Sequence, residues 1–430
     1  MADAASRLNR LAEQLLGAPL PLRIRAWDGS QAGPPDAPTL VVRNRRAVRR
    51  LLWKPGELGL ARAWVAGDLD IEGDLYAALE TLAGLLWERA EGGRGVTEAL
   101  RDPDVRAGVR ELVRLAGPPL PPAPPREEVR NRRHLHTRRS DKRAISHHYD
   151  VGNEFYEIVL GPSMVYSCAY WDAPDATLEA AQHDKLDLVC RKLALAPDQR
   201  LLDVGCGWGS LALHAARGYG VRVVGVTLSQ EQAGLARKRV ADEGLTDRVE
   251  IRVQDYRDVT DGPYDAVSSI GMAEHVGDRP YLEYARHLHD LLRPGGRLLN
   301  QQIARRPRRD EAAYHVDEFI DAYVFPDGEL APLGTTVTQL ERAGFEVRDV
   351  ESLREHYALT LRHWVANLEA DRERAARLAG PGRARVWRLY MAACALSFER
   401  NRIGVNQTLA VRTPESGESR TPLRMRTWPA

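Results

Sequence analysis

Three glycines at alternate positions follow a strongly apolar stretch near the middle of the chain. Residues 201–204 (LLDV) have the composition of a buried strand, and Gly205, Gly207 and Gly209 follow in the sequence GCGWG. Because glycine has no side chain, such a turn lets a ligand approach the backbone closely. In an open parallel sheet the first strand-to-helix turn is a common ligand site. The pattern predicts a ligand-binding turn, with a purely structural role for the glycines as the alternative.

The residues around this turn indicate which ligand it takes. A dinucleotide site needs GxGxxG and an acidic residue about 20 positions further on. Here the turn is GCGWG, and the next strand-like segment ends in VGVTLS without an acid at its tip. This favours S-adenosylmethionine, which has no pyrophosphate, over a dinucleotide. Asp255, after a later strand-like segment, could accept hydrogen bonds from the adenine amino group.

The pattern around this turn predicts an α/β fold. Strand-like segments at 200–207, 221–229, 249–255, 264–271 and 296–303 alternate with helical ones, which predicts a parallel, doubly wound sheet. We expect residues 144–430 to form this catalytic domain and residues 1–116 a small mixed domain. Residues 117–143 form a linker that begins with GPPLPPAPP.

A basic segment at 126–143 closes the linker, with eight Lys or Arg against three acidic residues. One interpretation is a solvated tether, and the other is contact with anionic lipid headgroups. Nucleic-acid binding is disfavoured because no aromatic residues are interleaved with the charges.

The composition of the 430-residue chain bounds the remaining possibilities. The net charge is +1 and 43% of the residues are hydrophobic, which is typical of a globular protein without bulk affinity for nucleic acid. No signal-peptide core and no apolar run long enough to cross a bilayer are evident. The four cysteines form no CxxC pair, so we expect a reduced cytosolic protein without a metal site or disulfides.

Several motifs in order give the chain a family resemblance. They are HHYD at 147–150, MVYSCAYW at 164–171, LLDVGCGWG at 201–209, VVGVTLSQEQ at 223–232, QDYRD at 254–258 and GMAEHVG at 271–277. From about residue 144 to about 410 the chain resembles the cyclopropane-fatty-acyl-phospholipid synthases and is similar to the mycolic acid cyclopropane synthases. The resemblance implies a class I S-adenosylmethionine-dependent methyltransferase fold and, as substrates, unsaturated acyl chains, usually on phospholipids.

Two further stretches extend this resemblance. Residues 45–85 look like the N-terminal domain of the longer bacterial synthases. Residues 318–370 and VWRLYMAACALSFERNRI at 386–403 look closest to the actinobacterial branch that makes 10-methylene-stearoyl lipids, the precursors of tuberculostearic chains.

The resemblance also implies cofactor-binding residues at matching positions. Tyr166, Ser167 and the glycines would line the cofactor, Gln254 and Asp255 would face its adenine, and Gly271 would close the same wall. The residues that would hold the ribose and amino-acid ends are Thr227, Leu228 and Gln232.

The same resemblance implies a catalytic set. An alkene alkylated by a sulfonium leaves a cation, so the site needs a dry apolar slot, a nearby negative charge and a base. In the family a bound bicarbonate is the base, and its matching ligands here are Cys168, Glu274, Ile303 and Tyr357. Gln301 stands where the family has His, and an amide cannot carry a proton or charge.

Two interpretations of this departure stay open. Either Gln301 still holds bicarbonate, or the anion is absent and Glu274 takes the proton. For Cys168, Glu274 and Tyr357 a purely structural role is also possible.

The resemblance to the 10-methylene branch implies a product and a reductase partner. We expect a 10-methylene acyl chain made from an oleoyl phospholipid, with a cyclopropane ring as the alternative. A methyltransferase for polar metabolites and a non-catalytic lipid-binding protein are competing functions. The expected partners are membrane phospholipid, a separate flavin-dependent NADPH reductase and a second copy of the chain, with peripheral attachment to the inner membrane face.

Overall fold

The structure is a computed structural model that describes residues 3–16, 18–82, 103–117, 120–129, 151–311, 314, 316–326, 328–424 and 426. The motif at 147–150 and most of the basic segment, including Arg132, Arg133, Arg138 and Arg139, lie outside these ranges. No helix within the described ranges is both long and apolar enough to cross a membrane.

Fifteen helices with defined bounds lie within the described ranges. They are α1 Ala4–Leu16, α2 Arg45–Trp53, α3 Glu57–Val65, α4 Pro103–Ala116, α5 Asn153–Leu160, α6 Leu178–Lys192, α7 Ser210–Tyr219, α8 Gln230–Asp242, α9 Ala273–Val276, α10 Tyr281–Leu291, α11 Glu318–Tyr323, α12 Leu333–Arg342, α13 Arg354–Ala370, α14 Arg372–Ala379 and α15 Pro381–Glu399.

Eleven strands with defined bounds lie in the same ranges. They are β1 Arg23–Arg25, β2 Gln31–Ala32, β3 Thr39–Val42, β4 Leu69–Glu72, β5 Arg200–Val204, β6 Arg222–Thr227, β7 Val249–Val253, β8 Tyr264–Ile270, β9 Leu292–Arg305, β10 Glu346–Ser352 and β11 Ile403–Val411.

The chain divides into two compact units. The first consists of Met1–Arg130, Asp317–Val324 and Ala379–Leu396, and the second of Asn131–Val316, Phe325–Leu378 and Ser397–Ala430. The first unit therefore includes two segments from the stretch expected to be wholly catalytic. The boundaries at residues 116 and 143 stay predictions.

The first unit is built on a four-stranded sheet in the order β2-β1-β3-β4. Strand β1 pairs parallel with β3, and the other two pairings are antiparallel. Trp64 of α3 donates from its indole nitrogen to the carbonyl of Arg385 at 2.8 Å, and the Arg385 guanidinium lies 4.6 Å from the Trp64 ring centre. These contacts tie the sequence-distant α15 to α3.

The second unit contains a seven-stranded sheet in the order β10-β11-β9-β8-β5-β6-β7. The neighbouring strands in the order β9-β8-β5-β6-β7 pair in parallel, which requires crossover connections between them. The apolar run in β5 is buried on both faces, since neighbouring residues point in opposite directions. Leu201 packs into one core cluster, and Leu202 and Val204 pack into the other.

The sheet differs from the prediction at one edge. Strands β10 and β11 are antiparallel additions that the alternation of strands and helices does not predict. Strand β11 contains Asn406, Gln407 and Thr408, all buried, whereas a buried strand is normally apolar. Strand β9 also begins at Leu292, before the expected segment 296–303.

Candidate active site

The expected cofactor residues lie at the carboxyl ends of four adjacent parallel strands. Gly205 follows β5, Thr227 ends β6, Gln254 follows β7 and Gly271 follows β8. Because these strands are parallel neighbours, their ends share one edge of the sheet. The sheet thus brings together four sites that are separated in sequence.

The GCGWG turn is shaped by its backbone. Gly205 and Gly207 have φ angles of 77° and 54°, in a region that favours glycine. The N–H groups of Gly205 and Cys206 donate to the Val226 carbonyl at 2.9 and 3.0 Å. No described atom lies within 4 Å of a Cβ built at Gly207, so the turn leaves open space above its backbone. This geometry fits a cofactor that approaches the backbone.

Thr227 and Gln232 contact each other directly. The Thr227 hydroxyl donates to Gln232 Oε1 at 2.9 Å, and Leu228 between them is partly buried. Residues expected to hold the ribose and amino-acid ends of the cofactor therefore form one polar group at the end of β6.

Asp255 and Gln254 have protein partners. Arg257 donates from Nε to Asp255 Oδ1 at 2.8 Å and from a terminal nitrogen to Oδ2 at 2.7 Å. Gln254 donates to the Asp258 carbonyl at 2.8 Å. Both oxygens of Asp255 are thus engaged by Arg257, and its contact with adenine stays a prediction.

Two buried polar side chains of α6 hold the segment that carries Tyr166 and Ser167. Gln182 donates to the carbonyls of Val165 and Ser167 at 3.4 and 3.2 Å. Lys185, 2% exposed, donates from Nζ to the Ser167 hydroxyl at 2.9 Å. Burial lowers the pKa of Lys185 to about 8, and Cys168 and Asp203 oppose this shift.

Cys168 is fully buried. Its thiol lies 3.2 Å from the Ala169 carbonyl and 3.6 Å from the Leu353 carbonyl, just before α13. Burial raises the pKa of Cys168 well above its usual value, so the thiol stays protonated at neutral pH. It can donate a weak hydrogen bond but is not a thiolate nucleophile.

Glu274 is held by one backbone hydrogen bond. The Ile303 N–H donates to Glu274 Oε1 at 2.8 Å. The other oxygen, Oε2, is shielded from solvent and has no hydrogen-bond partner in the described part of the chain. Burial raises the pKa of Glu274 to about 7 despite the Ile303 hydrogen bond, which lowers it. The side chain can therefore exchange a proton near neutrality.

The bicarbonate set is altered at two positions. Gln301 is buried in β9 and its Oε1 accepts from Gln407 at 2.9 Å. The Ile303 N–H, a second expected bicarbonate ligand, donates to Glu274 instead. The arrangement does not match the expected set, and bicarbonate binding stays a prediction.

Aromatic rings run in succession from the glycine-rich turn to α13. Successive ring centres lie 4.7, 5.7, 5.3, 6.0 and 4.8 Å apart. The rings, in order, belong to Trp208, Tyr156, Tyr166, Trp364, Tyr357 and Phe398. The succession brings the expected cofactor residue Tyr166 and the expected catalytic residue Tyr357 to one apolar wall.

Comparison with known proteins identifies the family. Residues 136–408 match the family model described as mycolic acid cyclopropane synthetase, which is more than half of the chain. The chain belongs to this family.

Two relatives and one solved structure illustrate the family match. A probable fatty acid methyltransferase of Mycobacterium tuberculosis is 45% identical over 94% of both chains. The tuberculostearic acid methyltransferase of the same organism is 34% identical over 96% of this chain and 92% of its own length. A mycolic acid cyclopropane synthase complexed with SAH and CTAB is 33% identical, with a TM-score of 0.59, over 63% of this chain and 98% of its own.

Family membership settles the general class. The chain has the class I S-adenosylmethionine-dependent methyltransferase fold and is an enzyme of the mycolic acid cyclopropane synthetase family that uses this cofactor. The α/β prediction is confirmed, with the antiparallel edge as an addition.

Several residues at the site carry no recognisable signal in the sequence. Tyr156, Gln182, Lys185, Lys192 and Gln407 lie in segments whose composition is ordinary for helices or strands. Their contacts come from long-range packing, such as the pairing of β11 with β9. Polar residues at buried positions are a signal only once the burial is known.

Proposed function

We propose that this enzyme transfers a methyl group from S-adenosylmethionine to the double bond of an oleoyl phospholipid and yields a 10-methylene acyl chain. The observation that carries the proposal is Glu274, whose enclosed carboxyl has one oxygen held by Ile303 and the other available. Fatty acid methyltransferases among the relatives support an acyl chain as substrate.

Residues of the second unit would hold the cofactor at the carboxyl edge of the sheet. The glycine turn 205–209 would pass beneath it, and Ser167, Thr227 and Gln232 would meet its polar ends. Tyr166 and Gly271 would complete the wall. When bound, S-adenosylmethionine supplies an electrophilic methyl group.

Glu274 takes the proton that the reaction releases. The alkene electron pair would form the new carbon–carbon bond as the bond from the methyl carbon to sulfur breaks. The electron pair of that bond stays on the leaving sulfur, which becomes a neutral thioether, and the neighbouring chain carbon becomes cationic. A hydride then moves from the methylated carbon to that neighbour, and Glu274 removes a proton from the new methyl group. The electrons of that C–H bond form the exocyclic double bond, so atoms and charge balance.

The aromatic wall keeps this sequence dry. Tyr166 and Tyr357, the partly exposed rings of this succession, would face the chain, with the buried rings packed behind them. Water near the cation would trap it as an alcohol. Cys168 and Tyr357 would border the same space, the thiol as a neutral group.

A cyclopropane ring is the second candidate product. It forms if the methyl group loses its proton before any hydride shift, so that the C–H electrons close the ring. The similarity to a solved mycolic acid cyclopropane synthase favours this alternative.

Lipid analysis in a heterologous host separates the products. The host is fed oleate, and its phospholipid acyl chains are examined by mass spectrometry and proton NMR, because the methylene and ring products have equal mass. Vinylidene protons are expected in the wild type and none in Glu274→Gln. Ring protons would replace the methylene proposal by its alternative, and unmodified oleate would overturn both.

The remaining proposals concern partners. A separate flavin-dependent NADPH reductase would saturate the methylene group. Peripheral contact with the inner membrane face would involve residues 1–116 and the basic segment. Replacing Arg132, Arg133, Arg138 and Arg139 with Ala should then weaken binding to anionic liposomes at low salt.

A further inference from the structure

Three polar residues form a row across the antiparallel edge of the large sheet. Glu351 of β10 is the register partner of Gln407 of β11, and Gln407 is the register partner of Gln301 of β9. Side chains of directly opposed residues lie on the same face of a sheet. Gln407 and Gln301 are 0% and 2% exposed, so their amides need partners inside the protein.

Lys192, the last residue of α6, closes the row at its outer end. Its Nζ donates to Gln407 Oε1 at 2.7 Å and forms an ion pair with Glu351. Gln407 Nε2 in turn donates to Gln301 Oε1 at 2.9 Å. The hydrogen bonds therefore run in one direction from Lys192 through Gln407 to Gln301.

The ammonium group decides that direction. The oxygen and the NH₂ group of a side-chain amide have nearly the same shape, so the orientation of the amide must be assigned from its hydrogen-bond partners. An ammonium group only donates, so Gln407 must accept with Oε1 and donate with Nε2. Gln301 then accepts with Oε1, and its NH₂ group can only donate to further partners.

Gln301 lies on the strand that also holds the proposed base. The backbone carbonyl of Gln301 accepts a hydrogen bond from the N–H of Gly271 at 2.9 Å. Gly271 is the first residue of the motif that carries Glu274. Ile303, two residues further along β9, donates its N–H to Glu274. The Gln301 side chain is therefore carried two residues from the backbone group that holds Glu274, near the same end of β9.

We propose that Lys192 and Gln407 are positioning residues that fix the Gln301 amide with its NH₂ group toward an anionic carboxyl oxygen in the site of Glu274. That oxygen belongs to Glu274 itself or to a small oxyanion bound beside it. The inference rests on the proposed function, in which Glu274 accepts the proton. The Gln301 donor favours the ionised form of the base.

A double-mutant cycle tests the row through turnover. In Lys192→Met the Gln407 amide is free to turn, and kcat should fall roughly 10- to 100-fold, the size of one hydrogen bond to a charged group. The KM for S-adenosylmethionine should stay unchanged. In a Gln301→Met background, Lys192→Met should have no further effect, because both changes remove the same donor. Additive effects would overturn the proposal.

Matched variants separate orientation from folding. Lys238, an exposed residue of α8, provides the control Lys238→Met, which should behave as wild type. Lys192→Arg keeps a donor-only cation and should restore turnover. Gln407→Glu still accepts from Lys192 but cannot donate to Gln301, so it should reproduce the loss even if Lys192→Met fails to fold. Wild-type turnover in Gln407→Glu would contradict the proposal.

The pH dependence of kcat and its dependence on bicarbonate show whether the anionic oxygen belongs to Glu274 or to a bound oxyanion. Losing the donor should raise the pH at which kcat falls on the acid side, if Glu274 is the acceptor. If the acceptor is a bound oxyanion, wild-type turnover should depend on added bicarbonate and the dependence should weaken in Lys192→Met. If Lys192→Met shows neither the shift in the pH profile nor the weaker dependence on bicarbonate, the proposal is overturned.

A spectroscopic measurement judges the row independently of turnover. In protein labelled with [¹⁵N]glutamine, the Gln301 side-chain NH₂ signal, assigned by its loss in Gln301→Met, should shift in Lys192→Met but not in Lys238→Met. An inactive enzyme that shows this shift would contradict the proposed function and keep the row. An unshifted signal would contradict the row alone.

Discussion

The Glu274 carboxyl combines an enclosed position with a single hydrogen bond from a backbone amide. Enclosure raises its pKa to about 7, above its ordinary value of 4.5. As a base it must be ionised, so kcat should fall about tenfold per pH unit below pH 7. Initial rates measured with unsaturated phospholipid between pH 5 and 9 check this. A flat acid limb would exclude Glu274 as the base.

The same raised pKa has the opposite effect on stability. The folded state binds a proton that the unfolded chain releases between pH 4.5 and 7. Its contribution to stability is complete below pH 4.5 and is lost as pH rises through about 7. Urea midpoints at pH 5 and 8 should therefore differ less in Glu274→Gln than in the wild type. Equal differences in both proteins would argue against the raised pKa.

Lys185 supports the proposed cofactor site from behind. Its ammonium donates to the Ser167 hydroxyl, which leaves the hydroxyl proton of Ser167 for a ligand. With its pKa lowered to about 8, mainly by burial, Lys185 loses charge as pH rises through 8.

We expect Lys185→Met to raise the Kd for S-adenosylmethionine about tenfold, the size of one hydrogen bond to a charged group. The wild-type Kd should rise above pH 8 and that of the variant should not. Calorimetry at pH 7 and 9 measures both. Identical Kd values in the two proteins would show that Lys185 only fills space.

At the scale of elements, the turn after β5 depends on glycine geometry. A Cβ at Gly205 would lie 2.5 Å from the Met272 side chain, at a φ of 77°. Gly205→Ala should cost about 1–2 kcal/mol for the left-handed backbone and weaken cofactor binding.

Gly218 of α7 is a matched control for this substitution. It has no described atom within 4 Å of its added Cβ and no positive φ. Gly218→Ala should therefore stabilise the helix by about 0.5–1 kcal/mol and leave binding unchanged. Thermal unfolding with and without S-adenosylmethionine compares the two variants. Equal ligand-induced shifts in both would argue against the turn as the cofactor site.

The elements that the sequence predicts are those with local signals. Strands β5 to β8 and the helices between them follow from apolar runs and periodicity, and the glycine turn marks the edge where ligands bind. Strands β10 and β11 are not predicted, because Asn406, Gln407 and Thr408 give β11 a polar sequence. These residues are accommodated in a buried strand only through the pairing of β11 with β9. Likewise, the role of Gln182 and Lys185 becomes evident only once the segment that packs against α6 is known.

At the scale of the molecule, the first unit depends on residues from distant parts of the chain. Asp70 accepts from Arg43 at 2.9 Å and from Arg385 at 3.1 Å, and its side chain is 6% exposed. Burial alone would raise the pKa of Asp70, but the two arginines outweigh it and lower the pKa to about 2.

Removing this carboxylate should therefore destabilise the unit. Asp70→Ala removes the carboxylate partner of the Arg385 guanidinium, whose side chain is only 12% exposed, and should cost about 3–5 kcal/mol. The wild-type contribution is present above pH 4 and is lost as pH falls toward 2. Urea unfolding at pH 7 and 3 measures both values. A loss below 1 kcal/mol at pH 7 would show that the Trp64 and Leu69 carbonyls, to which Arg385 also donates, are sufficient partners without Asp70.

The paired amides of Gln407 and Gln301 have a consequence for proton traffic. Unlike imidazole, an amide neither gains nor loses a proton near neutrality. The Lys192–Glu351 pair can therefore set the orientation of the buried Gln301 amide, but the row does not conduct protons. A proton that Glu274 accepts must reach solvent by another route, and we expect its release when the modified lipid leaves the site.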